Sequence, residues 1–156
     1  MTTEDTNVLR DLLDDTRVLS LGVLVEGVPY VGLLPFATSR DRQSLFVHAS
    51  GLARHTRGLT DGAPFSALLH APDDPSGDPL QVPRLTLDGV VRLLAAGTPD
   101  ERAARDRYLT RFPDAAQTFE LHDFGLYELR VRSGRLVAGF ARARNVSPGD
   151  LASVGG

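Results

Sequence analysis

Residues 17–38, RVLSLGVLVEGVPYVGLLPFAT, carry two apolar, branched runs on either side of Glu26-Gly27. Runs of that kind around a turn pair predict a β-hairpin, with strands over 17–26 and 28–38. Upstream, EDTNVLRDLLD (4–14) spaces Val8, Leu9, Leu12 and Leu13 along one helical face, with Thr6 or Asp5 as the cap. Downstream, SRDRQ (39–43) reads as a turn and SLFVHAS (44–50) as a third strand. A short helix from Leu52 to about Thr60 follows, ended by Asp61-Gly62, and APFSALLHA is a fourth strand.

PDDPSGDP (72–79) is a surface loop rather than a linker between domains. QVPRLTLDGVVRLLAAG then reads as a long strand, bent at Asp88-Gly89 because glycine inside a strand marks a bulge. TPDERAARDRYLTRF predicts a helix capped by Thr98, with Pro99 in its first turn and Glu101 three residues after the cap. PDAAQTFEL is a second short helix, and FGLYELRVRSGRLVAGF a closing hairpin that turns at Ser133-Gly134. About seven strands result, mostly joined by short turns, with helices inserted at two places. This predicts one mostly β domain over 1–156, with its core at about 8–144 and a mobile tail at 145–156. Its architecture should be an antiparallel barrel with peripheral helices, not a doubly wound sheet.

Composition narrows the chemistry more than the class. Hydrophobic content of 42% and a formal net charge of -3 suit an ordinary globular domain without a field toward nucleic acid or anionic membrane. No run approaches the roughly 18 apolar residues of a membrane span. The acidic, polar start MTTEDTNVLRD is unlike a secretory signal, so the cytoplasm is the expected location. There is no cysteine, which removes thiolate metal sites and cysteine nucleophiles. There is no lysine either, since all 17 basic residues are arginine. Schiff-base chemistry on lysine and a Walker A loop are therefore excluded. Any phosphate must be held by arginine, histidine, hydroxyls and backbone N–H groups.

The four histidines, His48, His55, His70 and His122, show no H-x-x-x-H pair, so no metal centre is expected. His48 and His70 read as partly buried or edge residues of strands, and His122 with Asp123 as a strand-start pair. The arginines of 101–111 alternate with acids and read as a solvated helix face. No residue earns a catalytic assignment. SGLARHTRGL (50–59) is richer. Ser50 ends a strand, and a helix beginning just after it would aim unpartnered N–H groups and a positive dipole end outward. Gly51 permits close approach, and Arg54, His55 and Arg57 follow. The segment is either a phosphate cradle or a capped surface helix, and spacing alone leaves both open.

The same segment resembles the phosphate-binding stretch of the pyridoxamine-5′-phosphate-oxidase-like flavoproteins, and in particular their haem-utilisation (HugZ-like) branch. Three other stretches agree: PFATSRDRQSLFVHAS, PLQVPRLTLDGVVRL with Arg84 and Gly89, and RFPDAAQTFELHDFGLYELRVRSGRLVAGFARA. The resemblance covers roughly residues 8–144. It implies an FMN-binding split β-barrel and a homodimer with FMN at the subunit interface. Carried over by position, Ser50, Arg54 and His55 would contact the FMN phosphate, with Arg57 nearby. Phe36, Ala37 and Thr38 would lie along the flavin, and Arg84 would contact it from the next strand. The implied function is a flavin-dependent oxidoreductase acting on a small molecule. The alternatives are a haem-binding or haem-degrading protein of the same fold, with haem as ligand or substrate, and a dimeric binding module without redox activity. His55 stands where the oxidase has lysine, and Leu85 where it has a flavin-contacting glutamine. Pyridoxamine-phosphate oxidation is therefore not expected.

Overall fold

The computed structural model describes residues 1–155. Helix α1 (Thr3–Asp15) is capped by Thr2, whose hydroxyl accepts the Asp5 N–H. It buries Leu9, Leu12 and Leu13. Asp5 is buried as well, and Arg142 and Arg144 reach it from the far end of the chain. The Arg142 hydrogen bond holds the Asp5 carboxyl down to about 2.

Strands β1 (Val18–Val25) and β2 (Val28–Thr38) form the expected hairpin, in register from Val25 opposite Val28 to Val18 opposite Pro35. Glu26 and Gly27 both take positive φ, which a two-residue turn needs to match the strand twist. β3 (Ser44–Ser50), β4 (Pro64–His70), β5 (Arg84–Leu93), β6 (Phe124–Val137) and β7 (Ala143–Val146) complete an antiparallel sheet of order β3-β2-β1-β4-β5-β6-β7. The β3–β6 pairing closes six of these strands into a barrel. β7 pairs with the distal half of β6. The interior is filled by alternate residues such as Leu19, Leu21, Phe36, Leu45, Leu85, Leu87 and Leu129.

β3 is buried on both faces for a local reason. Leu45, Val47 and Ala49 point into the barrel. Phe46 faces outward and is covered by α2 (Pro99–Arg111) and the segment after it, through Ala104 and Phe119. At Gly89 the β5–β6 register shifts, as expected of a bulge. A Cβ there would lie 1.9 Å from the Arg130 carbonyl oxygen, so only glycine fits.

Four expectations are corrected. Ser133-Gly134 is not a turn: β6 runs straight through it, and the chain reverses at Gly139–Arg142 before β7. The turn moved because Gly134 is pressed against Thr86 and Val146, where its missing side chain serves packing. The tail is ordered: β7 and α3 (Pro148–Ser153) follow, and Leu151 and Val154 join the core. Residue 156 lies outside the described residues. Finally, the helices expected at Leu52–Thr60 and over 113–121 are 3-10 segments, Arg54–Gly58 and Pro113–Glu120.

Candidate functional site

Two regions could bind a ligand. The first is the segment after β3. Ser50 Oγ accepts the Leu52 N–H at 3.1 Å and lies 3.4 Å from the Asp123 carboxylate. Thr56 donates its hydroxyl to the Ser50 carbonyl at 2.6 Å. The segment tightens into a single 3-10 turn because Gly58 is wedged against Val23 and the Leu24 carbonyl. Five residues carry little of the dipole that a full helix would offer an anion. The nearby Asp123 carboxylate adds charge of the wrong sign.

The side chains of this turn are mostly engaged within the chain. Arg57 is paired with Glu26. The His55 ring lies so close to Gly32 that a Cβ there would sit 2.5 Å from Nδ1. Its Nε2 is buried without a hydrogen-bond partner. Burial pushes the His55 pKa below the ordinary imidazole range, so the ring is neutral rather than a cation for phosphate. Arg54 stacks over the Tyr30 ring at 5.3 Å and makes no ion pair among the described residues. Of the four groups expected to hold phosphate, Arg54 alone keeps an unshared charge.

The remaining expected contacts lie elsewhere. Phe36 is inside the barrel, beneath the Arg111 guanidinium at 4.8 Å. Ala37 is buried, and the Thr38 carbonyl accepts Arg107 Nε at 2.9 Å. Arg84 stands at the other end of the barrel: it pairs with Val137 at the end of β6, whereas Ser50 pairs with Phe124 at its start. Its guanidinium donates to the carbonyls of Leu80 and Val82, at 3.0 and 3.1 Å. Ser50, Arg54, His55 and Arg57 are thus together by chain proximity, and Arg84 is not with them.

His48, two residues before Ser50, is a packing residue. It stacks on Phe119 with centroids 3.9 Å apart, and the Thr118 hydroxyl lies 3.2 Å from Nδ1. Burial, with the Arg105 guanidinium adding repulsion, lowers its pKa to about 4.

The second region is a cavity of about 610 Å³ between α1 and the outer face of β2, β1 and β4. Val8 and Leu12 come from α1, Val18 from β1, Leu33 from β2, and Leu68 and His70 from β4. Strand alternation explains the lining. Leu19 and Leu21 fill the barrel, which turns Val18 and Ser20 outward. Phe65, Ala67 and Leu69 do the same for Leu68 and His70. His70 Nδ1 lies 2.7 Å from the Ala71 carbonyl. Asp11 and Asp15 stand on the α1 wall. Reading His70 as an edge residue was right about its place in the strand and missed the cavity. The available signal was apolar Leu33 and Leu68 at outward positions, where alternation calls for polar residues.

Among the described residues, no helix is long and apolar enough to cross a membrane. No family model matches the chain. A relative described as heme oxygenase HutZ, from Vibrio cholerae, is 26% identical over 145 residues, covering 92% of this chain and 81% of the relative. The structure of a heme binding protein from Mycobacterium smegmatis superposes with a TM-score of 0.83 at 26% identity, over 98% of this chain. This chain spans 62% of that protein's length. A Clostridium acetobutylicum protein of the pyridoxine-phosphate oxidase family shares the fold: TM-score 0.66, 11% identity, 97% of this chain and 99% of that one.

Proposed function

The chain belongs to the pyridoxamine-phosphate-oxidase-like split-barrel family, in its haem-utilisation (HugZ-like) branch, and from that premise we propose that it binds haem. The observation that carries this reading is the cavity beneath α1. Its volume falls within the roughly 300–1,000 Å³ of ordinary small-molecule sites. Its walls are largely aliphatic, which suits a flat, apolar macrocycle that gains by leaving water. One imidazole stands among them, and haem iron takes one protein ligand of that kind. Similarity to a heme oxygenase and to a heme binding protein supports the same reading.

When bound, haem supplies the iron-centred chemistry. The chain supplies an apolar seat, excludes water from it, and sets the charge around it. Asp11 and Asp15 make the α1 wall unfavourable to propionate groups. Arg84, opposite His70 in the β4–β5 ladder and making no ion pair among the described residues, supplies positive charge beside the imidazole.

A second reading, FMN held at the segment after β3, is favoured by the unpaired Arg54. It requires Arg57 to leave Glu26 and His55 to accept a proton that its burial opposes. Either ligand fits a homodimer, which we also propose: β2 exposes Val31 and Leu33, each 66% accessible, on the outer face that continues the cavity wall.

Titration of the protein with haemin tests the choice. The expected result is a Soret band displaced from that of free haemin, saturating at one haem per chain. Titration with FMN should leave flavin fluorescence unchanged. Unaltered haemin absorbance together with quenched flavin would exchange the two readings.

A further inference from the structure

We propose that His70 Nε2 is the protein ligand to the haem iron, an inference that rests on the haem reading and goes beyond it by assigning the ligand. Of the four histidines, only His70 lines the cavity. His48 is enclosed by Phe119, Phe124 and Tyr108. The Nδ1 side of the His55 ring is closed off by Gly32, and its Nε2 is sealed from solvent. His122 lies in the exposed turn before β6 and does not line this cavity.

The tautomer of His70 is set by its neighbour. A carbonyl can only accept, so the 2.7 Å contact with Ala71 requires the proton to be on Nδ1. Nε2 then carries the lone pair. A metal-ligating histidine needs this state, and the second-nitrogen hydrogen bond to a carbonyl is its common support. The ring is also held in place. His70 pairs with Arg84 across the β4–β5 ladder, and the next residue, Ala71, donates its N–H to the Pro83 carbonyl at 2.9 Å. Support of this kind is formed before any ligand arrives, which lowers the ordering cost of binding.

Arg84 gives the same place a second, independent feature. Its guanidinium is tethered to the Leu80 and Val82 carbonyls, neutral acceptors that leave its charge uncompensated. A fixed cation one cross-strand position from the ligand suits a propionate carboxylate. Arg84, expected from the sequence as a flavin contact, stands opposite His70 in the β4–β5 ladder, next to Pro83 of the cavity lining.

Electron paramagnetic resonance and absorbance spectra of the haemin-loaded full chain test the ligand. His70→Ala should displace the Soret band from its wild-type position, change the ferric spectrum, and weaken haemin binding at least roughly tenfold. Added imidazole should restore the wild-type spectrum. His122→Ala should leave it unchanged. Arg84→Ala should weaken binding on the order of tenfold without moving the Soret band, as loss of a supporting contact does. Far-UV circular dichroism and melting of each variant establish that it is folded; His70→Gln serves if His70→Ala is not. A folded His70 variant with wild-type spectra and affinity would overturn the assignment while leaving haem binding intact. Failure of the wild-type chain to shift the Soret band would overturn both.

Discussion

The turn after β3 and the cavity beneath α1 spend their polar groups differently. At the turn, every promising side chain but Arg54 is tied up by the fold: Arg57 by Glu26, Ser50 by Leu52 and Asp123, His55 by contact with Gly32. At the cavity, His70 uses one ring nitrogen on a carbonyl and keeps the other, and Arg84 donates to carbonyls without losing its charge. A cluster of cations in a sequence is thus weak evidence for an anion site. What counts is whether those cations are still uncommitted once the chain has folded.

The contrast can be broken most forcefully at Gly58. A valine there would place its Cβ 2.7 Å from Val23 Cβ and 2.8 Å from the Leu24 carbonyl. Overpacking of this severity should cost about 3 kcal/mol, read by urea denaturation. His70→Ala, on an exposed strand end, should stay within about 0.5 kcal/mol of wild type. Equal losses from the two would remove the distinction between a packed turn and an open site.

A smaller effect comes from acid. His48 has a folded pKa of about 4, below its unfolded value near 6.5, so the unfolded chain binds the extra proton first. The stability from its neutral burial is complete above about pH 6.5 and is lost as pH falls toward 4. By pH 4.5 the loss should be about 2 kcal/mol, and His48→Gln should remove that part of the slope. If urea midpoints between pH 7 and 4.5 proved identical in wild type and variant, His48 would not be the buried packing group described.

The smallest effect sharpens the comparison at its polar surface. Arg57→Ala breaks an exposed ion pair and should lower stability by less than about 1 kcal/mol. Haemin affinity should not move, because Arg57 is remote from the cavity. A drop in haemin affinity in this variant would place the ligand at the turn after β3 instead of the cavity.

Much of the fold was legible in order of residues. The β1–β2 hairpin followed from branched runs around Glu26-Gly27, the α2 cap from Thr98, and the bulge from Gly89, because each is a local preference of backbone and side chain. The β6 path was not legible: Ser133-Gly134 has turn composition, yet its glycine is needed for close packing against β5 and β7. The C-terminal strand and helix were missed for a related reason. ASV in the tail looks too sparse to hold a segment, but Leu151 and Val154 find a core already assembled by the barrel.

The sequence by itself determined a lysine-free, cysteine-free β protein, and the local pattern that builds its hairpins. Only the tertiary structure decided which of its polar groups remain available. Pairing of Arg57 with Glu26, burial of His55 on Gly32, and the meeting of α1 with Leu33 and His70 all join residues far apart in the chain. Such contacts depend on barrel closure, a long-range event that no local window of residues encodes.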